Sequence, residues 1–158
     1  MFNIGDRVVY PMHGAGVIES IEERQEGDEL QRYYIIRLPM GDMKVMIPVE
    51  NVDIVGLRGI IKEEEVNKVL EVLSSDSSKM SNNWNRRYRA NMEKIKSGSI
   101  YEVAEVVRNL SLRDREKGLS TGERKMLENA RQILLSELAL AKNMDEAKVE
   151  ELVEGCLS

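Results

Sequence analysis

The pattern of apolar residues changes its period once along the chain, near Gly56 and Gly59. Before that point apolar and polar residues alternate in short runs bounded by prolines and glycines, which is typical of β-strands. After it, apolar residues recur every three or four positions, as they do on one face of an α-helix. A chain of 158 residues can hold two small domains. The change therefore predicts a β-domain over residues 1–55, a linker over 56–62 and a helical domain over 63–158.

Five short strands are predicted in the first domain, because each run is rich in β-branched or aromatic residues and ends at a turn signal. They are Gly5–Tyr10, Gly16–Ile21, Arg32–Leu38, Met43–Ile47 and Asn51–Val55. So many strands in so few residues favour a closed sheet, since closure removes exposed edges. The first domain is predicted to be an SH3-like or Tudor-like five-stranded barrel.

Five short amphipathic helices are predicted in the second domain, which makes the fold class α+β. The first follows three glutamates and ends at the serine-rich stretch 74–81. The second places Trp84, Tyr88, Met92 and Ile95 on one side. The last three begin at Ser99, Ser120 and Asp145, residue types that cap helix N-termini. Short loops between such helices predict a compact bundle.

Composition excludes several classes of protein. With 42% hydrophobic and 32% charged residues, the chain is too apolar for disorder and too polar for a membrane protein. The N-terminus resembles no secretory signal, so a cytoplasmic location is expected. One cysteine and one histidine cannot build a Cys/His metal site, and no cofactor is expected. His13 lies in a predicted turn and no catalytic motif is present, so we predict no catalytic residues and no enzyme.

Basic residues are concentrated in one segment of an otherwise acidic chain. The formal net charge is −5, yet Lys79–Arg131 holds 13 basic and 7 acidic residues. Such a segment can bind a polyanion locally, or it can consist of solvated helix faces. Charge alone leaves both interpretations open.

Trp84 stands at the start of a predicted helix beside Arg86, Arg87 and Arg89. Its spacing to Tyr88 is compatible with a core position, and its basic neighbours are compatible with a ring that wedges between bases while arginines hold phosphates. A second basic cluster flanks the turn at Gly118–Ser120, and solvated helix ends would explain it equally well. Its members are Arg113, Arg115, Lys117, Arg124 and Lys125.

Three motifs in this order resemble the CarD/CdnL family of bacterial transcription regulators. The chain begins with Gly5-Asp6-x-Val8-Val9-Tyr10-Pro11-x-His13-Gly14, continues with Asn83-Trp84-x-Arg86-Arg87-Tyr88, and later carries Gly118-Leu119-Ser120-x-Gly122-Glu123. The first motif also resembles the polymerase-interacting domain of transcription-repair coupling factors. The helical motifs favour the CarD/CdnL family, and the similarity runs over nearly the whole chain.

The resemblance implies a non-enzymatic regulator that docks its first domain on the β subunit of RNA polymerase. It also implies that the second domain contacts promoter DNA, weakly and with little sequence specificity, at the upstream edge of the melted region. Trp84 would be a minor-groove wedge, and the implied phosphate contacts are Arg86, Arg87, Arg89, Arg113, Lys117, Arg124 and Lys125. Arg24 matches a family arginine that contacts the polymerase, and Met46 replaces a second one. The chain is expected to act as a monomer without membrane contact. The alternative is a protein–protein adaptor that does not touch DNA and that buries Trp84.

Overall fold

The first third of the chain forms a five-stranded antiparallel sheet in a computed structural model that describes residues 1–157. The strands are β1 (Arg7–Tyr10), β2 (Gly14–Glu26), β3 (Glu29–Leu38), β4 (Met43–Pro48) and β5 (Arg58–Gly59). Their order in the sheet is β4-β3-β2-β1-β5. Strands β2 and β3 form a long hairpin in which Glu26 stands opposite Glu29, as the glycine-containing turn at 27–28 predicts.

Four of the five predicted strands are confirmed, and the strand predicted at Asn51–Val55 is wrong. Val49–Asn51 form a 3-10 turn, and Val52–Val55 form a short helix, α1. Val52 and Val55 pack against the sheet core while Ile54 between them is 82% exposed, which is a helical and not an alternating pattern. Gly56 ends α1 in the left-handed conformation that glycine adopts at low cost. The fifth strand is β5, which pairs with β1 inside the stretch predicted as linker.

The five helices predicted in the second half are confirmed, and α1 brings the total in the described residues to six. They are α2 (Val66–Ser74), α3 (Trp84–Lys96), α4 (Ile100–Glu116), α5 (Thr121–Lys142) and α6 (Glu146–Leu157). Three of the four residues predicted on one side of α3 do face the core, since Ile95 is buried and Tyr88 and Met92 pack against the apolar cluster, and the buried positions of α3 also include Arg87 and Asn91. Trp84 lies off this side. A two-domain α+β architecture is therefore confirmed.

Each half has its own apolar core. Ile18, Tyr34 and Ile36 lie at the centre of the sheet cluster. The helical cluster surrounds the middle of α4 and α5, with Leu110 and Leu134 fully buried. Helix α5 is the longest helix and contacts α2, α3, α4 and α6 as well as strand β2. It is therefore the central element of the helical half.

Polar contacts join the sheet to the second half of α5. Arg58 on β5 makes a two-pronged ion pair with Glu137, with both nitrogen–oxygen distances at 2.7 Å. The same carboxylate accepts the N–H of Ile61 at 2.9 Å. Next to it, the hydroxyl of Ser136 accepts the N–H of Ala15 at 3.0 Å. Glu137 is 2% exposed, so these contacts form a buried joint between the halves, which we call the Arg58–Glu137 joint.

Candidate nucleic-acid interface

Trp84 is the first residue of α3, and its ring lies at the protein surface. Asn83 caps the helix by accepting the N–H of Arg86 at 3.0 Å, which fixes the direction in which the helix starts. The ring of Trp84 stacks on that of Tyr88, with centroids 4.9 Å apart and planes 18° apart. Trp84 is 41% exposed and stands outside the apolar core. The exposure supports the wedge interpretation over the core interpretation.

The edge of the Trp84 ring that carries Nε1 and Cζ2 faces the turn between α4 and α5. Its Nε1–H donates to the Oγ of Ser120 at 2.9 Å. Ser120 is also the N-cap of α5, since its Oγ accepts the N–H of Glu123 at 3.2 Å. The α-carbon of Gly122 stands so close to the ring that a Cβ there would lie 3.5 Å from Cζ2 of Trp84. The first turns of α3 and α5 therefore meet at this ring.

Arg87 and Glu123 form a buried ion pair that is linked to the ring through Ser120. The guanidinium donates from Nε to Oε2 at 2.7 Å and from Nη2 to Oε1 at 3.0 Å. Their side chains are only 4% and 2% exposed. Hydrogen bonds from Arg87 lower the pKa of the Glu123 carboxyl although its burial opposes this shift. The same pairing raises the pKa of Arg87.

This pair changes the role expected for Arg87. Its remaining nitrogen, Nη1, donates to the carbonyl oxygens of Ser81 and Asn82, so the whole guanidinium is engaged inside the protein. A phosphate contact by Arg87, which the sequence predicted, does not fit this geometry. Arg87 instead fastens the loop before α3 to the first turn of α5.

The other predicted phosphate contacts come from α3 and from the junction between α4 and α5. Arg86 and Arg89 are exposed on α3, and the remaining four lie at the end of α4 and the start of α5. Arg113 is half-buried, and its positive charge also lowers the pKa of the Glu123 carboxyl. Arg124 donates to the carbonyl of Leu119 at 3.2 Å and still reaches solvent. Lys117 and Lys125 are exposed. The apolar ring and several solvent-facing cations thus lie on α3 and at the junction between α4 and α5.

The two predicted polymerase contacts lie on one face of the sheet. Arg24 pairs with Gln31, and Met46 pairs with Ile35. Gln31 and Ile35 are four residues apart on β3, so they share a face and their partners share it as well. Arg24 is exposed and makes an ion pair with Glu22 at 3.5 Å. Met46 is 38% exposed on β4, which is an edge strand.

The described residues hold no group of three or more His, Cys, Asp or Glu that could bind a metal ion. His13 is half-buried, and its ring lies against that of Tyr10 with a centroid distance of 4.5 Å. Within residues 1–157, no helix combines the length and the apolarity needed to cross a bilayer.

Sequence reasoning missed the buried ion pairs of Glu123 and Glu137 and the role of Ser120 as partner of Trp84. A signal for the carboxylates existed, because Glu123 and Glu137 occupy positions of the apolar stripe of α5. Glu123, Met126 and Ala130 are spaced at i, i+3 and i+7, and Glu137 continues the same side. An acidic residue on a buried stripe requires a cationic partner.

Comparisons with known proteins agree along nearly the whole chain. A family described as "CarD, C-terminal domain" matches residues 68–154, and one described as "CarD-like/TRCF RID domain" matches residues 2–61. The "Putative transcription factor YdeB" of Bacillus subtilis (strain 168) is 41% identical over 150 residues, which are 95% of this chain and 98% of that protein. The solution structure of the 72-residue N-terminal domain of Myxococcus xanthus CarD is 27% identical and covers 37% of this chain and 79% of its own. Its TM-score is 0.32.

Proposed function

The chain belongs to the CarD family of transcription factors, and from this premise we propose that it docks on the β subunit of RNA polymerase and stabilises the open promoter. In this proposal Trp84 wedges into the minor groove at the upstream edge of the melted region. Transcription factors are generally not enzymes, and we propose no enzymatic activity for this chain.

The observation that carries the proposal is the position of Trp84. A large apolar side chain that is 41% exposed has lost part of the gain from burial. The helices that meet at the ring also carry solvent-facing cations, namely Arg86 and Arg89 on α3 and Arg124 on the first turn of α5. A ring of this size can insert at a base step that is already partly unstacked, while arginines neutralise the flanking phosphates. Arg87 contributes by fixing the loop before α3, without touching DNA.

The proposed effect follows from a difference in affinity between two states of the promoter. A factor shifts the opening equilibrium only by as much as it prefers the open state. Intact duplex offers no gap for the ring, and unstacking one step costs a few kcal/mol. If the net preference is about 2 kcal/mol, the open complex is stabilised roughly thirtyfold.

Docking on the polymerase explains how an acidic protein can use a weak DNA contact. The sheet face with Arg24 and Met46 is accessible, and the edge strand β4 has free backbone groups on one side. A strand of the partner can pair with such an edge through main-chain hydrogen bonds. Once docked, the helical half meets DNA at a high effective concentration, so a modest interface suffices.

The test is the lifetime of open complexes formed by the cognate polymerase with and without the protein. Trp84→Ala should lose most of the stabilisation, about tenfold or more in lifetime, while remaining folded because the ring lies outside the apolar core. Ile54→Ala is the matched control, since it removes an apolar side chain that is 82% exposed on α1. Equal lifetimes with Trp84→Ala and with the native protein would refute the wedge and favour an adaptor role.

A further inference from the structure

The Trp84 ring is held on two sides by its own protein. Tyr88 stacks against one face at 4.9 Å, and the first turn of α5 approaches the edge that carries Nε1 and Cζ2. The contact to α5 includes a directed bond, from Nε1–H to the Oγ of Ser120 at 2.9 Å. An exposed tryptophan in solvent would otherwise sample several staggered rotamers.

The hydroxyl of Ser120 is itself fixed by its neighbours. A serine hydroxyl has one donor and two acceptor positions. Both acceptor positions are filled, by the N–H of Trp84 and by the N–H of Glu123. Its Oγ also lies 3.3 Å from Oε1 of Glu123, to which it donates. Because Arg87 holds that carboxylate from the other side, the ring is connected through Ser120 to a buried ion pair.

We propose that Ser120 is a positioning residue for Trp84, and this inference rests on the proposed function of the ring. The bond does two things. It keeps the indole in the orientation seen here before DNA arrives, so little ordering remains for the binding step. It also occupies the only hydrogen-bond donor of the ring. Trp84 then meets DNA as an apolar surface and does not recognise base edges, which makes the wedge tolerant of sequence.

Two substitutions at residue 120 separate this role from helix capping. Thr and Gly are of similar quality as N-caps. Ser120→Thr keeps a hydroxyl acceptor, whereas Ser120→Gly removes it. Urea unfolding of the two variants should therefore give similar midpoints. A difference between them in the behaviour of Trp84 reports on the hydroxyl and not on the stability of α5.

The first readout needs no DNA. The chain contains one tryptophan, so its indole N–H gives a single resonance in a ¹⁵N-correlated spectrum. We expect hydrogen exchange of this N–H to be about fivefold faster in Ser120→Gly than in the native protein, which corresponds to about 1 kcal/mol. We expect Ser120→Thr to stay within about twofold of native. Unchanged exchange in Ser120→Gly would overturn the inference and would leave the proposed function untouched.

The second readout is the open-complex lifetime used for Trp84→Ala. Ser120→Gly should lose about fivefold in stabilisation, and Ser120→Thr should retain it. If Ser120→Gly frees the indole but keeps the native lifetime, while Trp84→Ala loses it, positioning by Ser120 is refuted and the wedge stands. If Trp84→Ala also keeps the native lifetime, the proposed function fails. The claim that Ser120 prepares the ring for DNA then fails as well, whereas the claim that Ser120 holds the indole N–H is still decided by hydrogen exchange.

Discussion

Replacing Glu137 by Gln should weaken the Arg58–Glu137 joint without changing the volume of the side chain. The carboxylate accepts two hydrogen bonds from Arg58 and one from the N–H of Ile61. Glutamine retains one oxygen and turns an amide donor toward the guanidinium, so at least one of these contacts becomes repulsive or unsatisfied. The change therefore isolates the charge and the hydrogen bonds of this joint from its packing.

The magnitude follows from the burial of the two partners. Losing one partner of a buried ion pair costs about 3–5 kcal/mol, and a single hydrogen bond to a charged group contributes about 1.5–3 kcal/mol. The side chain of Glu137 is 2% exposed, but that of Arg58 is 30% exposed and still donates to the carbonyl of Gly98. Because Arg58 keeps water and a second acceptor, we expect the free energy of unfolding to fall by about 2–3 kcal/mol.

Urea denaturation followed by far-UV circular dichroism measures this loss. Glu150→Gln is the control, because Glu150 pairs with Arg131 at a similar distance, 2.9 Å, while its side chain is 52% exposed. Such a surface pair should contribute less than about 1 kcal/mol. Replacing both Arg58 and Glu137 by Met should recover part of the stability, since no buried charge is then left alone. If Glu137→Gln and Glu150→Gln shift the midpoint equally, the joint does not stabilise the protein as reasoned here.

Three further predictions concern charge. Arg86→Gln should reduce the slope of log affinity for promoter DNA against log salt by about one, because one phosphate contact is lost; an unchanged slope would place Arg86 away from DNA. Arg24→Glu should weaken capture of the polymerase β subunit, whereas Arg32→Glu on the opposite face of the hairpin should not; equal binding by both variants would count against the proposed docking face. Hydrogen bonds from Arg87 lower the pKa of Glu123 in the folded protein below its ordinary value of 4.5. The ionised carboxylate therefore stabilises the fold at pH values above about 4.5, and this contribution is lost as the pH falls through the lowered pKa. Glu123→Gln should accordingly flatten the acid limb of a stability–pH curve, and parallel curves would show that the pair contributes nothing.

The periodicity of apolar residues predicted most elements because each of them buries one face. It predicted too little of β2, whose residues beyond Ile21 are exposed and polar. That part of the hairpin is held by its pairing with β3 and has no buried face to mark it in the sequence. It also misassigned residues 51–55, because the seven residues between Pro48 and Gly56 satisfy a strand pattern and a helical turn equally well.

The candidate interface was predictable in its composition but not in its geometry. The exposed Trp84 and the buried Arg87 are neighbours on the first turn of one helix; the sequence pattern left the environment of Trp84 open, and Arg87 was expected to face DNA. What decides the matter is Glu123, which is 36 residues away from Arg87 in sequence. The carboxylate holds the guanidinium in the interior, and the sequence shows that Glu123 needs a cationic partner without showing which cation it is.

If the proposed function holds, the Arg58–Glu137 joint has a consequence for where the protein contacts DNA. A sheet that holds one partner and a helix bundle that holds another, fastened by a buried carboxylate, form a spacer of constant length. The position of the DNA contact is then set by its distance from the polymerase to which the sheet is bound. The protein need not recognise the bases that lie at that distance.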